Sequence, residues 1–190
     1  MIRGRARFTG YAAFAASFRG AAWATVVAST ATFIAGATFP RPASAQDVGL
    51  PLGTVPDAVV LEDLDGNAVD LAAYIGEGPV LLEFWATWCP VCEALEPRMQ
   101  AAFDRYGDEV AFLIVAVGVN QSPRRIRRHL EDHPLPGTFL WDGRGRAARA
   151  FQAPTTSYIV VLDADGKVTY TGTGEDQDIA AALQAVAGSE

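Results

Sequence analysis

Apolar residues concentrate in two short, almost uninterrupted runs near the middle of the chain. These are Pro79 to Trp85 (P-V-L-L-E-F-W) and Val110 to Val119 (V-A-F-L-I-V-A-V-G-V). Compact runs of this kind read as strands covered on both faces, as in a parallel sheet. Between them, Pro90 to about Tyr106 reads as a helix ending near Gly107. Upstream, Ala58 to Leu71 divides into two short strands around the turn signal Asp65-Gly66-Asn67. Downstream, Ser122 and Pro123 supply an N-cap and a first helical residue. That helix runs through Ile126 and Leu130 to Asp132, where Pro134 and Pro136 stop it. Thr138 to Trp141 reads as a short strand and Ala147 to Phe151 as a short helix. Ser157–Leu162 and Lys167–Gly172 form a hairpin around Asp163-Ala164-Asp165-Gly166, and Ile179 to Val186 a closing amphipathic helix.

The first half of this order, β-α-β-α, demands parallel pairing through helical crossovers, and the following β-β-α adds an antiparallel hairpin to the same sheet. The expected fold class is therefore α/β: a mixed central sheet flanked by helices on both faces, with a short N-terminal β extension.

Composition limits the rest. The chain has 190 residues, half of them hydrophobic and 19% charged, which suits one folded domain. That domain is expected over 57–190, behind a linker at 46–56 punctuated by Gly49, Pro51, Gly53 and Pro56. The net charge of −7 is unevenly spread. Five arginines (Arg3, Arg5, Arg7, Arg19, Arg41) precede residue 46 with no acidic residue among them, so ten basic residues face 22 acidic ones beyond it. An acidic domain repels phosphate backbones, so nucleic acid is not an expected partner.

Within 1–45, a basic start is followed by the uncharged stretch Ala21 to Phe39 and the small-residue motif Ala43-Ser44-Ala45. This is the order of a cleaved export signal. The uncharged stretch also approaches the length of a bilayer span, so a retained N-terminal membrane anchor stands as the alternative. Paired arginines are missing from it, which points to the general secretory route. Both alternatives place the domain in the periplasm or otherwise outside the cytoplasm, because basic flanks stay inside.

Only two cysteines are present, Cys89 and Cys92, separated by two residues. A structural disulfide gains most by closing a long loop, and this one closes almost none. The pair therefore points to chemistry. Cys89 falls just before the helix that Pro90 opens, at the N-cap, where free N–H groups and the helix dipole stabilise a thiolate. Cys92 falls at N3, one turn inward. The spacing assigns Cys89 as nucleophile and Cys92 as resolving thiol.

The segment Glu83-Phe84-Trp85-Ala86-Thr87-Trp88-Cys89-Pro90-Val91-Cys92 resembles the active-site signature of thioredoxins. The stretch A-P-T-T-S-Y-I-V-V-L-D-A-D-G-K-V, Ala153 to Val168, is similar to the TlpA/ResA group of exported, membrane-facing thioredoxins. The resemblance runs from about Pro56 to the C-terminus. It implies a thioredoxin-like fold and a redox-active Cys89–Cys92 disulfide that needs no organic cofactor. It implies further that Pro154 is the cis-proline beside the cysteines, and that backbone next to it, at Ala153, pairs with a bound substrate strand. Trp88, with Pro90 and Val91, would wall the substrate site. By position Glu83 resembles the buried strand acid that passes protons to and from the inner cysteine. The implied activity is thiol-disulfide exchange with exported protein substrates, most readily as a reductant, for example in cytochrome c maturation, recharged by an integral membrane electron donor.

Two positions depart from the group. Its proline usually precedes the inner cysteine, whereas here the dipeptide is Pro90-Val91. Its acid three residues after the inner cysteine is replaced by Leu95, with Glu96 next. That one-residue shift turns Glu96 about 100° around the helix, so the acid's role is not assigned to it.

Two other readings remain open. The same residues serve a disulfide-introducing oxidase or isomerase if the Cys89 thiolate is more stable. A protein handling copper or zinc through two thiolates belongs to a different class. Covalent haem attachment is excluded, since position 93 is Glu rather than His. His129 and His133 read as solvated helix-end residues or as a two-ligand face. Arg124, Arg125, Arg127 and Arg128 read as a solvated face or a docking patch for an acidic partner. Asp163 and Asp165 read as turn formers.

Overall fold

A computed structural model describes residues 48–188, so the segment 1–45, read as a signal or anchor, lies outside the described residues. The strands are β1 Val60–Asp63, β2 Ala68–Asp70, β3 Val80–Trp85, β4 Ala111–Val117, β5 Thr138–Asp142, β6 Tyr158–Leu162 and β7 Val168–Gly172. The helices are α1 Pro90–Tyr106, α2 Pro123–Asp132, α3 Arg146–Ala150 and α4 Ile179–Gln184, with a short 3-10 turn at Leu71–Ala73.

One seven-stranded sheet runs in the order β2-β1-β5-β4-β3-β6-β7. β3, β4 and β5 are mutually parallel, and every other pairing is antiparallel. The mixed sheet expected from the sequence is thus present, and the direction of its crossovers explains its layers. Two successive right-handed crossovers, β3-α1-β4 and β4-α2-β5, move the same way across the sheet and leave α1 and α2 on one face. The connection from β5 returns to the far side of β3, which puts α3 on the opposite face. One core layer accordingly joins Leu95, Met99, Ile126 and Leu183 to Leu81 and Trp85. The other joins Leu71, Ala147 and Phe151 to Leu82 and Phe84. β3 is buried at every position because both of its faces are covered.

Two element ends move by two residues. β4 ends at Val117, two residues before the sequence reading, where the chain turns through Gly118 and the left-handed Asn120 (φ 53°). α4 ends at Gln184, although Val186 is still buried in the core.

The segment 46–56 is not a free linker in its described part. Leu50 is buried, its N–H donates to the Tyr158 hydroxyl at 3.1 Å, and Gly53 and Thr54 pair with the backbone of Val168. An apolar side chain and a string of backbone donors found partners that turn-rich composition does not reveal. Asp163 does form a turn: its Oδ1 accepts from the N–H groups of Asp165 and Lys167, as Asp63 does for Asp65 and Asn67.

Candidate functional site

Cys89 stands at the exit of β3 and is the N-cap of α1, with φ −96° and ψ 100°. Its Sγ accepts the N–H of Cys92 at 3.0 Å, and Pro90 occupies the first turn, where no donor is needed. Cys89 and Cys92 form a disulfide with their Cα atoms 5.3 Å apart. Cys92 is 1% exposed and packs into the core, whereas Cys89, at 6%, lines an open groove of about 310 Å³. Helix geometry thus makes the two sulfurs unequal: one faces the groove, its partner the interior.

Glu83 is 4% exposed. By strand alternation it shares the sheet face of Leu81 and Trp85, whose core layer also contains Cys92. Its Oε1 is buried without a hydrogen-bond partner. Burial, reinforced by the charge of Glu96, pushes its carboxyl up to about 8. A strand acid kept protonated near neutrality, on the face that carries the inner cysteine, suits proton transfer.

Glu96 lines the Cys89 groove beside Glu93 and His129, although the sequence reading turned it away from the site. Leu95, three residues after Cys92, goes into the core instead. Glu96 lies four after Cys92, a spacing that keeps it on the same side of the helix. Burial first, and then the charge of Glu93, raise its pKa.

Trp88 is 41% exposed, and its indole Nε1 donates to the carbonyl of Val119 at 2.7 Å. Trp88, Val91 and Val119 are exposed apolar side chains around the cysteines, a surface suited to extended protein substrates. Val119 lacked a sequence signal, since it reads there as the end of a buried strand. Gln121 was missed for a related reason. Its Oε1 accepts the Thr87 N–H at 3.0 Å, while its Nε2 donates to the carbonyls of Val117 at 2.6 Å and Trp85 at 3.5 Å. It thereby clasps the exits of β3 and β4 together.

Ala153 and Pro154 lie in the loop between α3 and β6 and are not in the wall of the Cys89 groove. The loop is nonetheless tied to β3, for the Ser157 N–H donates to the Phe84 carbonyl at 2.7 Å. Pro154 is exposed, and Ala153 donates its N–H to Ala148 at 2.9 Å.

His129 is half-buried, 5.4 Å from Trp85 between ring centroids, and stacks on His133 at 4.8 Å. Burial, with His133 beside it, holds its pKa below the usual imidazole range. Arg127 is engaged structurally, pairing with Asp65 at 2.6 Å and donating to the Leu64 carbonyl. Among the described residues, no group of three or more His, Cys, Asp or Glu side chains is arranged to hold a metal ion. No helix of the described residues is long and apolar enough to cross a membrane.

The Redoxin family model matches residues 50–186. The thiol-disulfide oxidoreductase ResA of Geobacillus thermodenitrificans is 31% identical over 135 residues, covering 70% of this chain and 76% of the relative. Two solved structures share the fold. The thioredoxin domain of a Bacteroides vulgatus thiol-disulfide oxidoreductase aligns with a TM-score of 0.62 at 19% identity, over 72% of this chain and 99% of that one. StoA of Bacillus subtilis aligns at 0.57 and 20% identity, over 69% and 98%.

Proposed function

The chain belongs to the Redoxin family, and on that premise we propose that it reduces the disulfides of exported proteins. It is a thiol-disulfide oxidoreductase of the ResA type with a thioredoxin-like fold. The direction of electron flow, the substrates and the residue roles are our reading. The observation that carries it is the asymmetry of the pair: Cys89 at a helix N-cap in an open groove, Cys92 one turn inward in the core.

In this reading the Cys89 thiolate attacks one sulfur of a substrate disulfide, and the other substrate sulfur leaves as a thiolate that takes up a proton. Cys92 then loses its proton and attacks Cys89. This closes the Cys89–Cys92 disulfide and releases the second substrate thiol. Two electrons pass to the substrate, and the dithiol carries them without an organic cofactor. Glu83, protonated up to about pH 8, exchanges the Cys92 proton. Trp88, Pro90 and Val91 hold the substrate on one side, and the backbone next to Pro154 pairs with it on the other, through groups other than the Ala153 N–H, which Ala148 holds. An integral membrane protein returns the dithiol state, and an oxidised apocytochrome c is one substrate of suitable chemistry. The domain works in the periplasm or an equivalent compartment, reached through residues 1–45 as a signal or anchor.

The test is an equilibrium redox titration of the chain, following tryptophan fluorescence in dithiothreitol and glutathione buffers. A two-electron transition near or below about −270 mV marks a reductant, and one at roughly −120 to −180 mV an oxidase or isomerase instead. If replacing Cys89 leaves the curve unchanged, the pair is not the redox centre.

A further inference from the structure

Beside the Cys89 groove lies a second, larger one of about 590 Å³, and Thr87 and His129 line both. Arg124, Arg125 and Arg128 line this second groove, with His133 and a single carboxylate, Asp132. The chain beyond residue 45 carries 22 acidic against ten basic residues, so three guanidinium groups in one depression are a local reversal of sign. Their neighbour Arg127 is held by Asp65. Among the described residues, no carboxylate lies within ion-pair distance of Arg124, Arg125 or Arg128. The Arg125 guanidinium donates to the Asn120 carbonyl at 3.4 Å.

We infer that this groove receives an acidic segment of the protein substrate, adjacent in sequence to the disulfide being exchanged. The inference rests on the exchange activity proposed above and specifies which substrates it favours. Guanidinium groups present forked donors that match carboxylates in pairs. Because the protein as a whole is acidic, it repels such a segment at long range. Attraction from the groove prevails only within about 10 Å at roughly 0.1 M salt. The acidic residues must therefore lie close to the reacting cysteine. The charged and titratable groups facing the segment are the three arginines, His129, His133 and Asp132, with Glu93 and Glu96 bounding the neighbouring groove on the cysteine side.

Two disulfide peptides that differ only in flanking residues, one with Asp and Glu and one with Ser and Gln, test this with the full chain. The readout is the ratio of their kcat/KM values, compared between wild type and a triple R124Q/R125Q/R128Q variant. The expected ratio in wild type is about tenfold in favour of the acidic peptide at low salt. In the variant it falls to one or below, and high salt draws the two proteins together. An equal ratio in both proteins, or a wild-type ratio of one or below, overturns the inference. Anisotropy of a labelled acidic peptide without cysteine, titrated with the oxidised protein, reports docking by itself. Binding lost in the triple variant supports the groove, and absence of binding to wild type refutes it. If the acidic peptide binds but neither disulfide peptide is exchanged, it is the activity reading that fails.

Discussion

The Thr87 N–H donates to Oε1 of Gln121 at 3.0 Å, tying the loop that leads into Cys89 to the exit of β4. Thr87 lies two residues before Cys89, and Gln121 also serves the carbonyls of Val117 and Trp85. Truncating Gln121→Ala leaves a part-buried backbone donor and its acceptors without these partners. The expected loss is about 1–3 kcal/mol of stability, read by urea unfolding of the oxidised protein. A changed Trp88 fluorescence in the folded variant is expected to accompany it, since Trp88 adjoins the clasped loop and bonds Val119.

Removing the two sulfurs has unequal consequences. Cys89→Ala abolishes exchange, because it deletes the nucleophile. Cys92→Ala leaves the first attack possible but removes the resolving thiol, so a mixed disulfide at Cys89 accumulates. Mass spectrometry after reaction with a disulfide peptide checks this, and adduct retained on Cys92 in a Cys89→Ala protein would reverse the assignment.

Glu83 makes stability fall as pH rises. Below about pH 4.5 the carboxyl is neutral in both folded and unfolded chains. Above it the unfolded chain ionises, while burial keeps the folded carboxyl protonated up to about 8. Stability contributed by the neutral acid is thus lost as pH rises across that window, at roughly 1.4 kcal/mol per pH unit. Glu83→Gln is expected to flatten the slope between about pH 5 and pH 8. Urea midpoints at the two pH values measure it, and an unchanged slope would locate the titration elsewhere.

Gly49 tests the attachment of the N-terminal segment. It adopts φ +76°, and a Cβ added there would overlap the Tyr158 hydroxyl that accepts the Leu50 N–H. Gly49→Ala is therefore expected to destabilise the domain by about 1–3 kcal/mol. Thermal unfolding checks it. No change in midpoint would mean that the segment detaches without consequence.

Much of this protein was legible in the linear order of its residues. The apolar runs that became β3 and β4 are long enough to be buried and too short for core helices. The Pro90 that follows Cys89 marks a helix start by removing a donor that the first turn cannot use. The placement of Cys89 at the N-cap and Cys92 one turn inward follows from local backbone geometry alone, so sequence determined it. What joins distant segments was decided only by the tertiary structure. Gln121 reads as an ordinary polar loop residue until the exits of β3 and β4 lie side by side. Glu96 reads as turned away until Leu95 is seen committed to the core. Leu50 reads as part of a linker until Tyr158 offers its hydroxyl. The basic groove exists because the α2 crossover places its arginines beside Thr87, more than thirty residues earlier in the chain. Periodicity and capping are short-range and written in neighbouring residues, whereas burial, pKa and surface charge depend on which residues the chain's return brings together.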